Sequence, residues 1–207
     1  MRAVRRYKSA VSSSNYDGAE RNYIMKAALA LFVLANGVAA NNYHDSVGAD
    51  DAATLKELIA IKEPGLNERG QGGQTPLMMA VLMGKDDAVK QLLAAGADTS
   101  IGEKDGYTPM HGAGFQGRAS IARMLVAHGL NPSDMHGDGS TPIHRACWGR
   151  ELRHTETVQA LLEAGVNPNE PSAKKVTPVE MTQNADTRKL LHQWLHHGNP
   201  LDQKEEM

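Results

Sequence analysis

From Gln74 to the C-terminal end the hydrophobic positions repeat as a figure. Gln74-Thr75-Pro76-Leu77-Met78-Met79-Ala80 returns 33 residues later as Tyr107-Thr108-Pro109-Met110-His111-Gly112-Ala113. It returns again after 33 as Ser140-Thr141-Pro142-Ile143-His144-Arg145-Ala146, and after 36 as Val176-Thr177-Pro178-Val179-Glu180. Thr-Pro predicts a helix start, because Thr can cap and Pro at the first helical position gives up only a free N–H. Val89, Leu92 and Leu93 have the i, i+3, i+4 spacing of a second helix with one buried face. Leu125-Val126, Leu161-Leu162 and Trp194-Leu195 hold the same register, and each pair precedes a glycine: Gly129, Gly165 and Gly198, as Gly96 does for the first. Gly96, Gly129 and Gly165 suit left-handed positions at helix ends. Gly73, Gly106 and Gly139 stand two residues before Thr and predict turns. Ala80, Ala113 and Ala146 let paired helices approach closely.

This register resembles the ankyrin repeat, whose mark is a 33-residue period carrying T-P-L-H-x-A. The resemblance implies an all-α solenoid of about five helix-turn-helix units joined by short hairpin-like loops. No single unit can bury its own apolar face, so the units must stack. Counting back one unit, with one residue of adjustment in the loop, puts His44 at the repeated histidine position. It also puts Leu55, Leu58 and Ile59 in a second helix, so a degenerate first repeat begins near Asn41. Three additional residues between Gly149 and Val158 account for the step of 36. The repeat domain is expected over 41–198, with a polar tail at 199–207.

The first forty residues differ in kind. They hold six Lys/Arg against two acidic residues, whereas the remainder holds 16 basic against 22 acidic. Residues 1–23, basic and without apolar period, are expected to be disordered. Residues 24–40 contain the apolar run AALALFVLA at 27–35 after Lys26, then Asn36-Gly37 and the small residues Val38, Ala39 and Ala40. That is a signal-peptide pattern, and it places the cut after Ala40 and the protein in the secretory route. The alternatives are a membrane anchor or a packed terminal helix in a cytoplasmic protein.

Composition narrows the chemistry. A single cysteine excludes an intrachain disulfide framework and any CxxC site. A net charge of −2 and a pI near 6.5 argue against nucleic acid as a partner. His44, His111 and His144 recur at one position, where the resemblance implies hydrogen bonds between neighbouring loops. His192 and His196, with His197 beside them, supply too few ligands for zinc. Cys147 has His144 three residues before it but no third group, and it stands where an alanine is usual. The run His136-Gly137-Asp138-Gly139-Ser140 reads as the turn between repeats, and Asn131-Pro132-Ser133 is disqualified as a glycosylation site by its proline. No catalytic constellation, cofactor or metal site is expected, and the chain is expected to be no enzyme.

Leu82, Phe115 and Trp148 are spaced 33 and 33 apart at the ends of successive first helices. In the family that position belongs to a variable concave surface that recognises proteins. With Met83 and Gln116 beside them, and Asp105, Tyr107 and Asp138 in the loops of the same side, they predict a protein-binding stripe. The acidic loop residues would favour a basic rim on the partner. The alternative for Trp148 is burial under a long loop following Gly149. The expected function is a non-catalytic, monomeric protein-interaction module, with self-association through the same stripe as the alternative. Contact with a membrane is expected only if residues 24–40 remain as an anchor.

Overall fold

A computed structural model describes residues 42–70 and 72–198. The basic segment 1–23, the apolar segment 24–40 with its expected cut after Ala40, and the tail 199–207 lie outside the described residues. Among the described residues the structure is all-α, ten helices in five consecutive pairs with no strand. None of these helices is long and apolar enough to cross a membrane. The chain divides into two compact units, one ending at Leu66 and the other starting at Asn67.

The first unit holds α1 (Asn42–Gly48) and α2 (Ala52–Ile61). Asp51 caps α2, accepting from the Thr54 N–H at 3.0 Å and the Thr54 hydroxyl at 2.6 Å. Leu55 and Leu58 are buried, as are Tyr43 and Val47 on α1, and His44 is buried at its repeat position. Ile59 lies in the same helix but is only half-buried.

The second unit pairs α3 (Pro76–Met83) with α4 (Asp86–Ala94), and α5 (Pro109–Gln116) with α6 (Ala119–Ala127). It continues with α7 (Pro142–Cys147) and α8 (Leu152–Glu163), then α9 (Pro178–Met181) and α10 (Ala185–His197). Each first helix opens on its Thr-Pro. Thr75 accepts from the Met78 N–H at 3.2 Å, and Thr177 closes a reciprocal capping box with Glu180. Helix α5 packs between α3 and α7, and α8 between α6 and α10, which is a stack of like on like. Ala80, Ala113 and Ala146 are fully buried along that stack, as are Val89, Leu92, Ile121, Leu125 and Leu161. Gly96, Gly129 and Gly165 take φ of 82°, 95° and 88°, the left-handed helix ends the sequence predicts.

Between pairs the chain makes a narrow turn with a repeating bond pattern. The N–H groups of Gly70, Glu103, His136 and Ser172 donate to the carbonyls four residues on, at 2.9–3.0 Å. The left-handed residue inside each turn is Gly73, Gly106, Gly139 and, in the last, Lys175. Neighbouring turns are tied to one another, with Arg69 Nη2 donating to the Gly102 carbonyl at 2.7 Å. The three additional residues of the fourth unit become helix rather than loop: α8 has 12 residues where α4 and α6 have 9. His154, near its start, donates from Nε2 to the Phe115 carbonyl at 3.2 Å. Arg118 serves the preceding pair in the same way, donating to the Leu82 carbonyl at 3.1 Å. A cationic or polar N–H thus meets the open carbonyl end of successive first helices.

Candidate protein-binding surface

The ends of α3, α5 and α7 and the turns before α5 and α7 bring most of the expected stripe together. Phe115, the penultimate residue of α5, is 51% exposed. Trp148, which caps α7, is 48% exposed, and no loop covers it because the additional residues extend α8. The two rings meet edge to face, with centroids 6.5 Å apart at 82°. Met83 is exposed at the end of α3, and Gln116 is half-buried. Leu82 is half-buried as well, so the first member of the stripe is partly a wall and not wholly a surface.

What lies under the Trp148 ring is a buried arginine. Arg145 is buried to 6% exposure in α7, and its guanidinium carbon lies 4.3 Å from the Trp148 ring centroid and 4.5 Å from that of Tyr107. Its Nη2 donates to the Tyr107 hydroxyl at 2.6 Å and also to the Asp138 carboxylate. Tyr107 donates in turn to Asp138 at 3.2 Å, and its ring stacks on His136 at 3.7 Å. His136 donates from Nε2 to the Asp105 carbonyl at 2.9 Å. Partial burial works against ionisation of Asp138. Hydrogen bonds from His136 and the Ser140 N–H, the Arg145 charge and the Tyr107 hydroxyl outweigh it and hold the carboxyl well below the usual carboxylate range. Asp138 is therefore engaged within the protein, whereas the Asp105 side chain is exposed at its turn. Only the position of Arg145 hints at this: the variable place in T-P-x-H-x-A is Met79, Gly112 and Arg145 in successive units.

That same variation opens a pocket of about 140 Å³. Gly112, at the variable place in α5, forms its floor, with Met78 and Leu82 of α3 on one side. Tyr107, Phe115, Arg145, His111 and Glu103 complete the lining.

The histidines of the repeat are structural. His111 Nδ1 accepts from the Thr108 hydroxyl at 2.8 Å, and its Nε2 faces the Ser140 carbonyl of the next turn at 3.3 Å. His144 Nδ1 accepts from the Thr141 N–H at 3.2 Å, which leaves the ring proton on Nε2. Burial pushes the basicity of both rings down. A lowered folded-state value means that the unfolded chain binds protons first as pH falls below about 6.5. The urea midpoint should accordingly be steady above pH 7 and fall between pH 7 and 5. As pH falls through the ordinary Asp range, Asp138 takes up a proton in the unfolded chain while the folded one stays ionised, which should lower the midpoint further. A midpoint that holds or rises on going from pH 7.5 to 5.5 would contradict this.

Cys147 is buried, and burial pushes its thiol up to about 12. With Nδ1 of His144 occupied and Nε2 protonated, that ring offers the thiol no base. The folded protein should leave an aromatic disulfide reagent unreacted for hours, and one equivalent should react at once in guanidinium. His192 and His196 lie exposed with stacked rings 6.2 Å apart. Among the described residues no group of three or more His, Cys, Asp or Glu is placed to hold a metal.

A family model described as ankyrin repeats (3 copies) matches residues 39–136 and 84–172, well over half of the chain. No curated protein matches it. Ankyrin repeats are in general protein-interaction modules and not catalysts. The 33-residue register, the Thr-Pro caps, the stacked helix pairs and this match agree, and the chain belongs to the ankyrin-repeat family.

Proposed function

We propose that the chain is a non-catalytic, monomeric module that captures a protein partner on the concave side of its repeats. Leu82, Met83, Phe115 and Trp148 bury an apolar segment of that partner, with Gln116, Asp105 and Tyr107 at the edge. Asp138 acts from within, by fixing Arg145. The observation that carries this reading is the pair of half-exposed aromatics, Phe115 and Trp148, set edge to face, with Trp148 over a buried arginine. Exposed aromatics cost solvation when bare and carry binding energy when covered, and a rigid frame spares the entropy of ordering them.

The test is a pair of single substitutions, Phe115→Ala and Trp148→Ala, in the full chain. Each should leave the helical circular dichroism unchanged and weaken partner binding at least tenfold. Unfolding by either change would make the rings core and end the reading. Sedimentation mass should stay constant with concentration; a mass that doubles, and does so only with both rings present, would favour self-association instead.

A further inference from the structure

We infer that the pocket over Gly112 receives a single apolar side chain, of leucine, methionine or phenylalanine size, from a partner segment with basic residues on either side of it. The inference rests on the proposed interaction surface and adds to it where the partner is anchored and by what chemistry. The pocket exists because α5 carries glycine at the place where α7 carries Arg145. With no side chain at Gly112, the ends of Met78 and Leu82 lie against the α5 backbone, and the pocket lies between them and Phe115 and Tyr107. Its volume of about 140 Å³ matches one side chain. An enclosed cavity of roughly 150 Å³ takes a guest the size of benzene, which sets the scale of what fits here.

The walls choose against a charged guest. Arg145 is the one cation in the lining and is already bound to Asp138 and Tyr107, so it has little to offer an anion. A guest cation would have to lie beside it, with Glu103 the one acidic residue of the lining to offset that charge. The turn that reaches the pocket is acidic on balance: Glu103, in the lining, and Asp105 flank Lys104, while Asp138 is already held by Arg145. A neutral anchor between basic neighbours satisfies both the pocket and its border.

Gly112 also supplies the means of testing this, because a β-carbon there meets only side-chain atoms. A β-carbon there would lie 3.0 Å from Met78 Cε and 3.3 Å from Leu82 Cδ2, the far ends of two flexible side chains. A displayed library of random twelve-residue peptides should be selected on the full chain. The selected peptides should share one Leu, Met or Phe flanked by Lys or Arg. A synthetic peptide of that sequence should lose at least tenfold in affinity on Gly112→Met, and equally when its anchor becomes alanine. It should weaken severalfold from 50 to 500 mM salt. Gly112→Ala should give an intermediate loss and secures the test if the larger residue disturbs folding. Peptides that lack an apolar anchor, carry acidic flanks or bind Gly112→Met as well as the parent would overturn the inference. If such peptides are lost on Phe115→Ala, the surface reading survives while the pocket fails; if they are indifferent to both changes, both readings fail. A selection that enriches nothing also counts against the pocket.

Discussion

Gly114→Ala should destabilise the repeat stack by about 2–3 kcal/mol, an effect at the upper end of overpacking. A β-carbon on Gly114 would sit 2.3 Å from the Pro142 carbonyl oxygen, 3.1 Å from its carbon and 3.3 Å from its Cα. These are backbone atoms at the first residue of α7, so no rotamer change relieves the clash, and α5 and α7 must separate. Separation loosens contacts around Ala113, Ala146 and Ile143, all buried without exposure. Alanine would recover roughly 0.5–1 kcal/mol of helix propensity, which is already counted in the net figure. In thermal melts the change should lower Tm by roughly 5–10 °C for a unit of this size. Gly112→Ala, two residues earlier in the same helix, should leave Tm unchanged or raise it slightly, because its neighbours are side-chain ends that can move. Equal and small effects at the two glycines would show that α5 and α7 are not packed this closely.

The contrast between these glycines marks where the sequence was legible and where it was not. The repeat, its caps and its helix ends are local: Thr-Pro, Gly96 and the Leu92-Leu93 pair each act within a few residues, so their spacing predicts their structure. The exposure of Phe115 and Trp148 was within reach for the same reason, since register places them on one face. Leu82 shares that register but is half-buried, because the glycine in the next unit lets the end of its side chain lie against α5. Arg145 escaped because nothing local buries it. Its partners are Tyr107, 38 residues away, Asp138 across the turn, and the ring of Trp148. Asp138 was expected to face a partner for a similar reason: a carboxylate in a loop looks free until the cation that claims it is placed. The three additional residues after Gly149 were equally ambiguous, since a longer loop and a longer helix both satisfy the period. His154, donating to the Phe115 carbonyl, fixes them as helix.

Arg145→Met should cost about 2–4 kcal/mol while keeping most of the buried stem. The loss combines hydrogen bonds involving charged groups, worth roughly 1.5–3 kcal/mol, with cation–π contacts to two rings at about 0.5–2 kcal/mol each. These contributions overlap and do not add fully. The Asp138 side chain is 39% exposed and can return to water, which limits the cost of leaving it unpaired. Arg145→Lys should recover less than half, because an ammonium cannot lie flat between Tyr107 and Trp148 while bonding two oxygens. The coupling is measurable: in a cycle with Asp138→Asn the double variant should be at least 1 kcal/mol more stable than the sum of the single losses predicts. Additivity within about 0.5 kcal/mol would mean that the pair is not coupled and that Trp148 is held by packing alone. Trp148 emission should move to longer wavelength in Arg145→Met at temperatures where the helices remain folded. Arg145 then links the two roles of this region: the network that stabilises two successive turns also sets the angle at which an aromatic ring meets solvent.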